Sequence, residues 1–123
     1  MKNVYTWAAK PAKRSTTVGD LKAAKGKKKF TQVTANTVDE AAAAEKAGFD
    51  MIIANAKNII PVREGSKNLF LTAALVLNEF VTADDIMRGA FKALENGADA
   101  VMTPRSMDTV SYTHLTLPTM AIV

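Results

Sequence analysis

Cysteine is absent from the 123 residues. No disulfide framework and no thiolate metal site can be built, and a reducing compartment is the simplest setting. Histidine occurs once, at His114, and tryptophan once, at Trp7. No stretch approaches the ~20 apolar residues of a membrane span. The N-terminal residues carry Lys2, Lys10 and Lys13 without the apolar core of a signal peptide. The expectation is a cytoplasmic protein with no membrane partner. Neither GxGxxG nor GxxxxGK[ST] occurs, which argues against nucleotide binding by those two loops.

What remains is an ordinary globular composition: 48% hydrophobic and 23% charged residues, in a length typical of one domain. The net charge of +4 is unevenly placed. Residues 1–30 hold nine Lys/Arg and one acid, Asp20, whereas residues 31–123 hold seven Lys/Arg and eleven acids. The excess is densest at Lys25, Lys27, Lys28 and Lys29. Only Phe30 adjoins it as a stacking group, and no nucleic-acid-binding motif surrounds it. The cluster therefore reads as a solvated turn rather than a nucleic-acid interface.

Residues 110–119, VSYTHLTLPT, resemble a translated sequencing adapter of the kind used in tagmentation libraries, and residues 120–122 then read as barcode. The domain division expected is a partial barrel domain over 1–109 and a non-native tail over 110–123. His114 falls in that tail, so the native part holds neither His nor Cys. A His-activated nucleophile is excluded there, and a metal would have only oxygen donors.

Over residues 17–109 the pattern alternates between helix and strand. Thr17 with Asp20 opens a short helix that ends near Gly26. Residues 30–35 follow as a strand. Thr37 with Glu40 caps an alanine-rich helix over 38–47, stopped by Gly48. Residues 51–54 form a continuous apolar run, as expected of a strand covered on both faces. Residues 55–68 read as a longer polar connection holding Pro61 and Gly65, with Arg63 and Glu64 as weaker candidates for function. Residues 69–77 are a third strand. Thr82 with Asp85 caps a helix whose stripe is Ile86, Met87, Ala90, Phe91 and Leu94, ending at Gly97. Residues 100–103 are a fourth strand, and 104–109 start the next helix. The triplet Gly48-Phe49-Asp50 is echoed by Gly97-Ala98-Asp99, an offset of 49 residues and about two βα units. Repeated β–α connections imply an α/β fold with parallel strands and right-handed crossovers. A doubly wound sheet and a βα barrel both fit the pattern. A full (βα)8 barrel needs roughly 200 residues or more, so four strands would be its N-terminal half, truncated and with two open edges.

Three stretches carry a family resemblance: residues 17–26 (TVGDLKAAKG), 31–37 with 44–55 (TQVTANT and AEKAGFDMIIAN), and 82–101 (TADDIMRGAFKALENGADAV). Together they resemble ketopantoate hydroxymethyltransferase, 3-methyl-2-oxobutanoate hydroxymethyltransferase, a barrel of the phosphoenolpyruvate mutase and isocitrate lyase kind. The resemblance implies the N-terminal half of a (βα)8 TIM barrel and a pantothenate-biosynthesis enzyme. Such an enzyme transfers a hydroxymethyl group from methylenetetrahydrofolate to an α-keto acid with bound Mg²⁺, and its full-length form is a homo-oligomer. The family's metal-ligand positions fall on Ala56, Ala73 and Pro104, so no metal ligand is retained. As truncated, the chain is expected to be inactive.

Barrel active sites collect at the C-terminal ends of strands. Those ends offer Asn36, Asn55, Lys57, Thr103 and Arg105 as candidate substrate-binding residues. Asn36 and Asn55 suit a carbonyl, and Lys57 or Arg105 a carboxylate. The alternative to the hydroxymethyltransferase is a divergent barrel that lost the metal and serves another carboxylate or a non-catalytic binding role.

Overall fold

A computed structural model describes residues 1–76 and 79–103, and the backbone of residues 121–122. The sequence readings at Pro104, Arg105 and His114, the next helix over 104–109, and the adapter-like stretch over 110–119 all lie outside the described residues.

Strands β1 (Lys2–Tyr5) and β2 (Pro11–Arg14) form an antiparallel hairpin. Then come α1 (Val18–Ala23), β3 (Gln32–Thr34), α2 (Val38–Ala47) and β4 (Met51–Asn55). A 3-10 turn, Ala56–Asn58, leads into α3 (Ile59–Gly65). β5 (Phe70–Ala74), α4 (Ala83–Glu95) and β6 (Ala100–Met102) follow. β7 (Ala121–Ile122) is two residues of the tail, laid parallel to β6 at Ala100 and Val101. Four parallel strands were expected; the fifth uses backbone groups that an edge strand leaves open.

The helix starts follow from capping chemistry. The Thr17 and Thr82 hydroxyls accept from the Asp20 and Asp85 N–H groups, and each aspartate reciprocates to the cap N–H. At α2 the reciprocation is displaced by one residue: Glu40 accepts from Asn36 N at 3.0 Å, while Thr37 accepts from Glu40 N. Gly48 ends α2 in the left-handed region, φ 87°, a conformation with no Cβ penalty for glycine.

The polar connection expected over 55–68 contains a helix instead. Pro61 is the third residue of α3, in the first turn, where its missing N–H has no intrahelical acceptor to lose. Ile59 and Val62 are fully buried at 0% exposure, so two side chains anchor a segment that looked polar in one dimension. Gly65 sets the approach of α3 to α2, since a Cβ there would meet the Val38 carbonyl oxygen at 2.2 Å.

The parallel sheet runs β3-β4-β5-β6-β7 in chain order. This decides between the two architectures left open by the pattern. A doubly wound sheet reverses its order at a switch point, whereas a barrel adds each strand on the same side. Same-hand crossovers in one direction put α2, α3 and α4 on one face. The core confirms it: Ile52, Ala54, Leu71, Ala73, Leu75 and Val101 pack with Ala41, Ile59, Val62, Ile86, Ala90 and Leu94. Strand alternation directs Ile53, Asn55, Thr72, Ala74 and Met102 to the opposite, inward face. The chain is an α/β fold carrying part of a βα barrel.

The N-terminal residues, unassigned in the sequence, fold as the hairpin. Its loop places Trp7 against Phe91 of α4, ring centroids 5.4 Å apart. Lys28 stacks on Phe30, its Nζ 4.9 Å from the ring centroid, within the basic turn between α1 and β3.

Candidate functional site

The C-terminal ends of β3 and β4 are tied together by asparagines. Asn36 follows β3, Asn55 ends β4, and Asn58 closes the 3-10 turn after it. Asn55 N–H donates to Asn36 Oδ1 at 2.9 Å, and Asn58 Nδ2 donates to the same oxygen at 3.1 Å. Lys57 N–H donates to Asn55 Oδ1 at 3.1 Å. A backbone N–H can only donate, so these bonds settle which amide atom is oxygen at both residues. The Nδ2 groups of Asn36 and Asn55 are therefore directed away from those bonds, and neither has a hydrogen-bond acceptor among the described residues. All three asparagines are half-buried.

The other candidates do not join them. Lys57 is exposed and lies on the outer, helical side, where its Nζ meets Glu79 at 3.4 Å. It shares a groove there with Ile60, Phe80 and Lys92. Thr103 follows β6 and is half-buried, and β6 is two strands away from β4 in the sheet order. Asn58 was missed by sequence reasoning. Its signal was the Asn55-to-Asn58 spacing, because side chains three apart eclipse in a 3-10 turn.

Two of the positions that hold the metal in the resembled family, Ala73 and Ala56, lie among the described residues. Ala73 is 0% exposed and belongs to the helix-facing core, and Ala56 packs against that same core. Two methyl side chains turned toward the helices offer no oxygen donor.

At the opposite end of the sheet lies a charge cluster that sequence reading passed over. Asp99, before β6, accepts from Arg14 Nε at 3.0 and 2.9 Å and from Arg63 Nη2 at 3.0 Å. It also accepts from Leu71 N at 3.1 Å. The Arg14 side chain is 4% exposed and that of Arg63 14%. Arg63 further donates to the Gly97, Ser66 and Leu69 carbonyls, and Arg14 to those of Lys13 and Lys67. Burial pulls the Arg63 guanidinium down to about 10 against the attraction of Asp99; it stays charged at neutral pH.

This end also explains the Gly-x-Asp echo. Asp50 lies opposite Thr31 and Asp99 opposite Leu71, one step before the registered pairs Gln32–Met51 and Thr72–Ala100. Asp50 accepts from Thr31 N at 2.9 Å, as Asp99 accepts from Leu71 N. Each aspartate thus binds a backbone donor at the start of the strand before it. The repeat describes strand starts at the barrel bottom, the end opposite the one where barrels gather their active sites.

The fold and the strand-end position of the asparagines place the chain among βα barrels. A proposed deoxyribose-phosphate aldolase from Toxoplasma gondii ME49 matches 68% of this chain and 43% of its own, at 24% identity and TM-score 0.53. The apo form of such a proposed aldolase from that organism matches 68% of this chain and 45% of its own, at 24% identity and TM-score 0.52. A rubisco-like protein from Burkholderia fungorum matches 90% of this chain and 34% of its own, at 16% identity and TM-score 0.52. The chain thus spans less than half the length of these structures, and at such identities the likeness carries the fold alone. No protein-family model and no curated protein matches the chain.

The resemblance to ketopantoate hydroxymethyltransferase is overturned. The structural neighbours are aldolase-like and rubisco-like barrels, with no ketopantoate hydroxymethyltransferase among them. The residues that carried the resemblance are capping boxes, Gly-x-Asp turns and apolar strands. These are parts that any βα unit needs, so they report the architecture and not the reaction. Mg²⁺ and methylenetetrahydrofolate rested on that resemblance alone.

Proposed function

We propose that this chain belongs to a βα barrel that binds a small carboxylate or carbonyl compound at the C-terminal ends of its strands, through the carboxamide N–H groups of Asn36 and Asn55. The observation carrying this reading is the locked orientation of the two amides. Their oxygens are occupied by backbone donors, which leaves neutral N–H donors at the end where barrels gather ligands. Such donors suit an oxygen acceptor. A carboxamide does not ionise near neutral pH, so binding and orientation are what these residues supply.

Pyruvate, which bears both a keto oxygen and a carboxylate, is a suitable probe. Titrated into the 123-residue chain, it should shift the Nδ2 proton resonances of Asn36 and Asn55 saturably. Asn55→Ala should weaken binding about fivefold, the effect of one neutral hydrogen bond. Equal binding by Asn55→Ala, or shifts confined to other residues, would overturn the reading. Among the described residues no helix is long and apolar enough to cross a membrane.

A further inference from the structure

The underside of the barrel carries a second concavity, of about 530 Å³, unrelated to the asparagine end. The hairpin forms one wall, α3 another, and the turn after α4 the third. Its lining holds Lys10, Lys13, Arg14, Arg63 and Lys67 against a single carboxylate, Glu64.

Two features make this more than a basic stretch of surface. First, the direct ion pairing is one-sided. Arg14 and Arg63 share Asp99 as their one directly paired carboxylate, and Glu45, bonded to Ser66 Oγ at 3.2 Å, adds attraction to Arg63 only through space. An excess cation away from water is costly unless an anion completes it. Second, Lys10, Lys13 and Lys67 have no ion-pair partner among the described residues, and they come from β2, its preceding loop and the connection after α3. The fold brings them to one cavity from positions up to 57 residues apart. The wall between them is apolar, made by Pro11, Ala12 and Ile60, which is 54% exposed.

We propose that this cavity binds a small organic phosphate: an anionic head held by the Lys13 and Lys67 ammonium groups beside the Arg14–Arg63 pair, with its apolar body against Ile60 and Pro11. Ammonium groups are compact donors suited to a phosphate, while the two guanidinium forks are already engaged by Asp99 and carbonyls. The site lies at the N-terminal ends of the strands, so it is a separate ligand site from the asparagine end and does not depend on it.

Phenyl phosphate is the probe, titrated calorimetrically into the full 123-residue chain with sodium chloride holding ionic strength constant. Saturable binding is expected, tighter than that of inorganic phosphate. Lys13→Gln with Lys67→Gln should weaken it about tenfold, on the order of 0.7 kcal/mol for each exposed pair lost. Both lysines are exposed, so the double variant should fold. Lys25→Gln with Lys27→Gln removes the same charge away from the cavity and should leave binding unchanged. Absence of saturable binding, or equal weakening by the control pair, would overturn the proposal. Equal affinity for phenyl phosphate and inorganic phosphate would overturn the apolar-wall assignment.

Discussion

Asp99 joins a hairpin, a helix and two strands through one carboxylate. It takes Arg14 from β2, Arg63 from α3 and the Leu71 N–H of β5, while its own N–H reaches the Leu71 carbonyl at 2.8 Å. Asp99→Asn keeps an oxygen for Leu71 and removes the charge shared by the guanidinium groups. Removing the carboxylate that both largely buried cations pair with should cost about 3 kcal/mol, read as a lower urea midpoint with the slope unchanged. A loss below about 1 kcal/mol would show that solvent already screens the pair. At this scale the sequence was informative about backbone chemistry and silent about pairing. Asp50 and Asp99 stood out through their Gly-x-Asp context, but nothing in the string linked Asp99 to Arg14, 85 positions away. Asn36 and Asn55 were legible as strand-end residues; that Asn55 N–H would bind Asn36 Oδ1 was not.

Among the elements, α4 shows how far local rules reach. Its cap, stripe and stop were all readable, and Ile86, Ala90 and Leu94 are buried as expected, with Met87 and Phe91 packed at the edge of the core. Gly89 adds a contact the stripe could not predict: a Cβ there would meet the Phe80 ring at 2.2 Å. The capping box also sets a pH response. Hydrogen bonding from Thr82 holds the Asp85 carboxyl below its usual range, and Lys2 and Thr17 do the same for Asp20. Both groups are therefore lower in pKa folded than unfolded. Their contribution is fully present above the ordinary value of 3.8 and is lost as pH falls below it. The thermal midpoint should drop below about pH 4, and Asp85→Asn should make that drop shallower. Thr82→Ala should cost about 1 kcal/mol at neutral pH, the usual value of an N-cap. α3 escaped the same rules because Pro61 and Gly65 read as breakers. Proline in a first turn and glycine at a close helix contact are both compatible with a helix once tertiary packing supplies Ile59 and Val62 with a core.

For the whole molecule, the order of the sheet decides the architecture, and the helix layer on one face follows from it. The division into residues 1–109 and a foreign tail has a direct test. A chain ending at Thr109 should keep the thermal midpoint of the full chain to within about 2 °C, because two-residue β7 adds only an edge pairing. A fall of about 10 °C or more would make the tail a working part of the fold. The sequence by itself determined where helices begin, which side of α4 is buried and that strands alternate with helices, because caps and periodicity act over a few neighbouring residues. Only the tertiary structure decided that the strands add in one direction, that Ala56 and Ala73 pack with the helix-facing core, and that five cations from two distant segments line one cavity. Those outcomes depend on the closure of long loops and the sharing of buried space, which no short stretch of chain encodes.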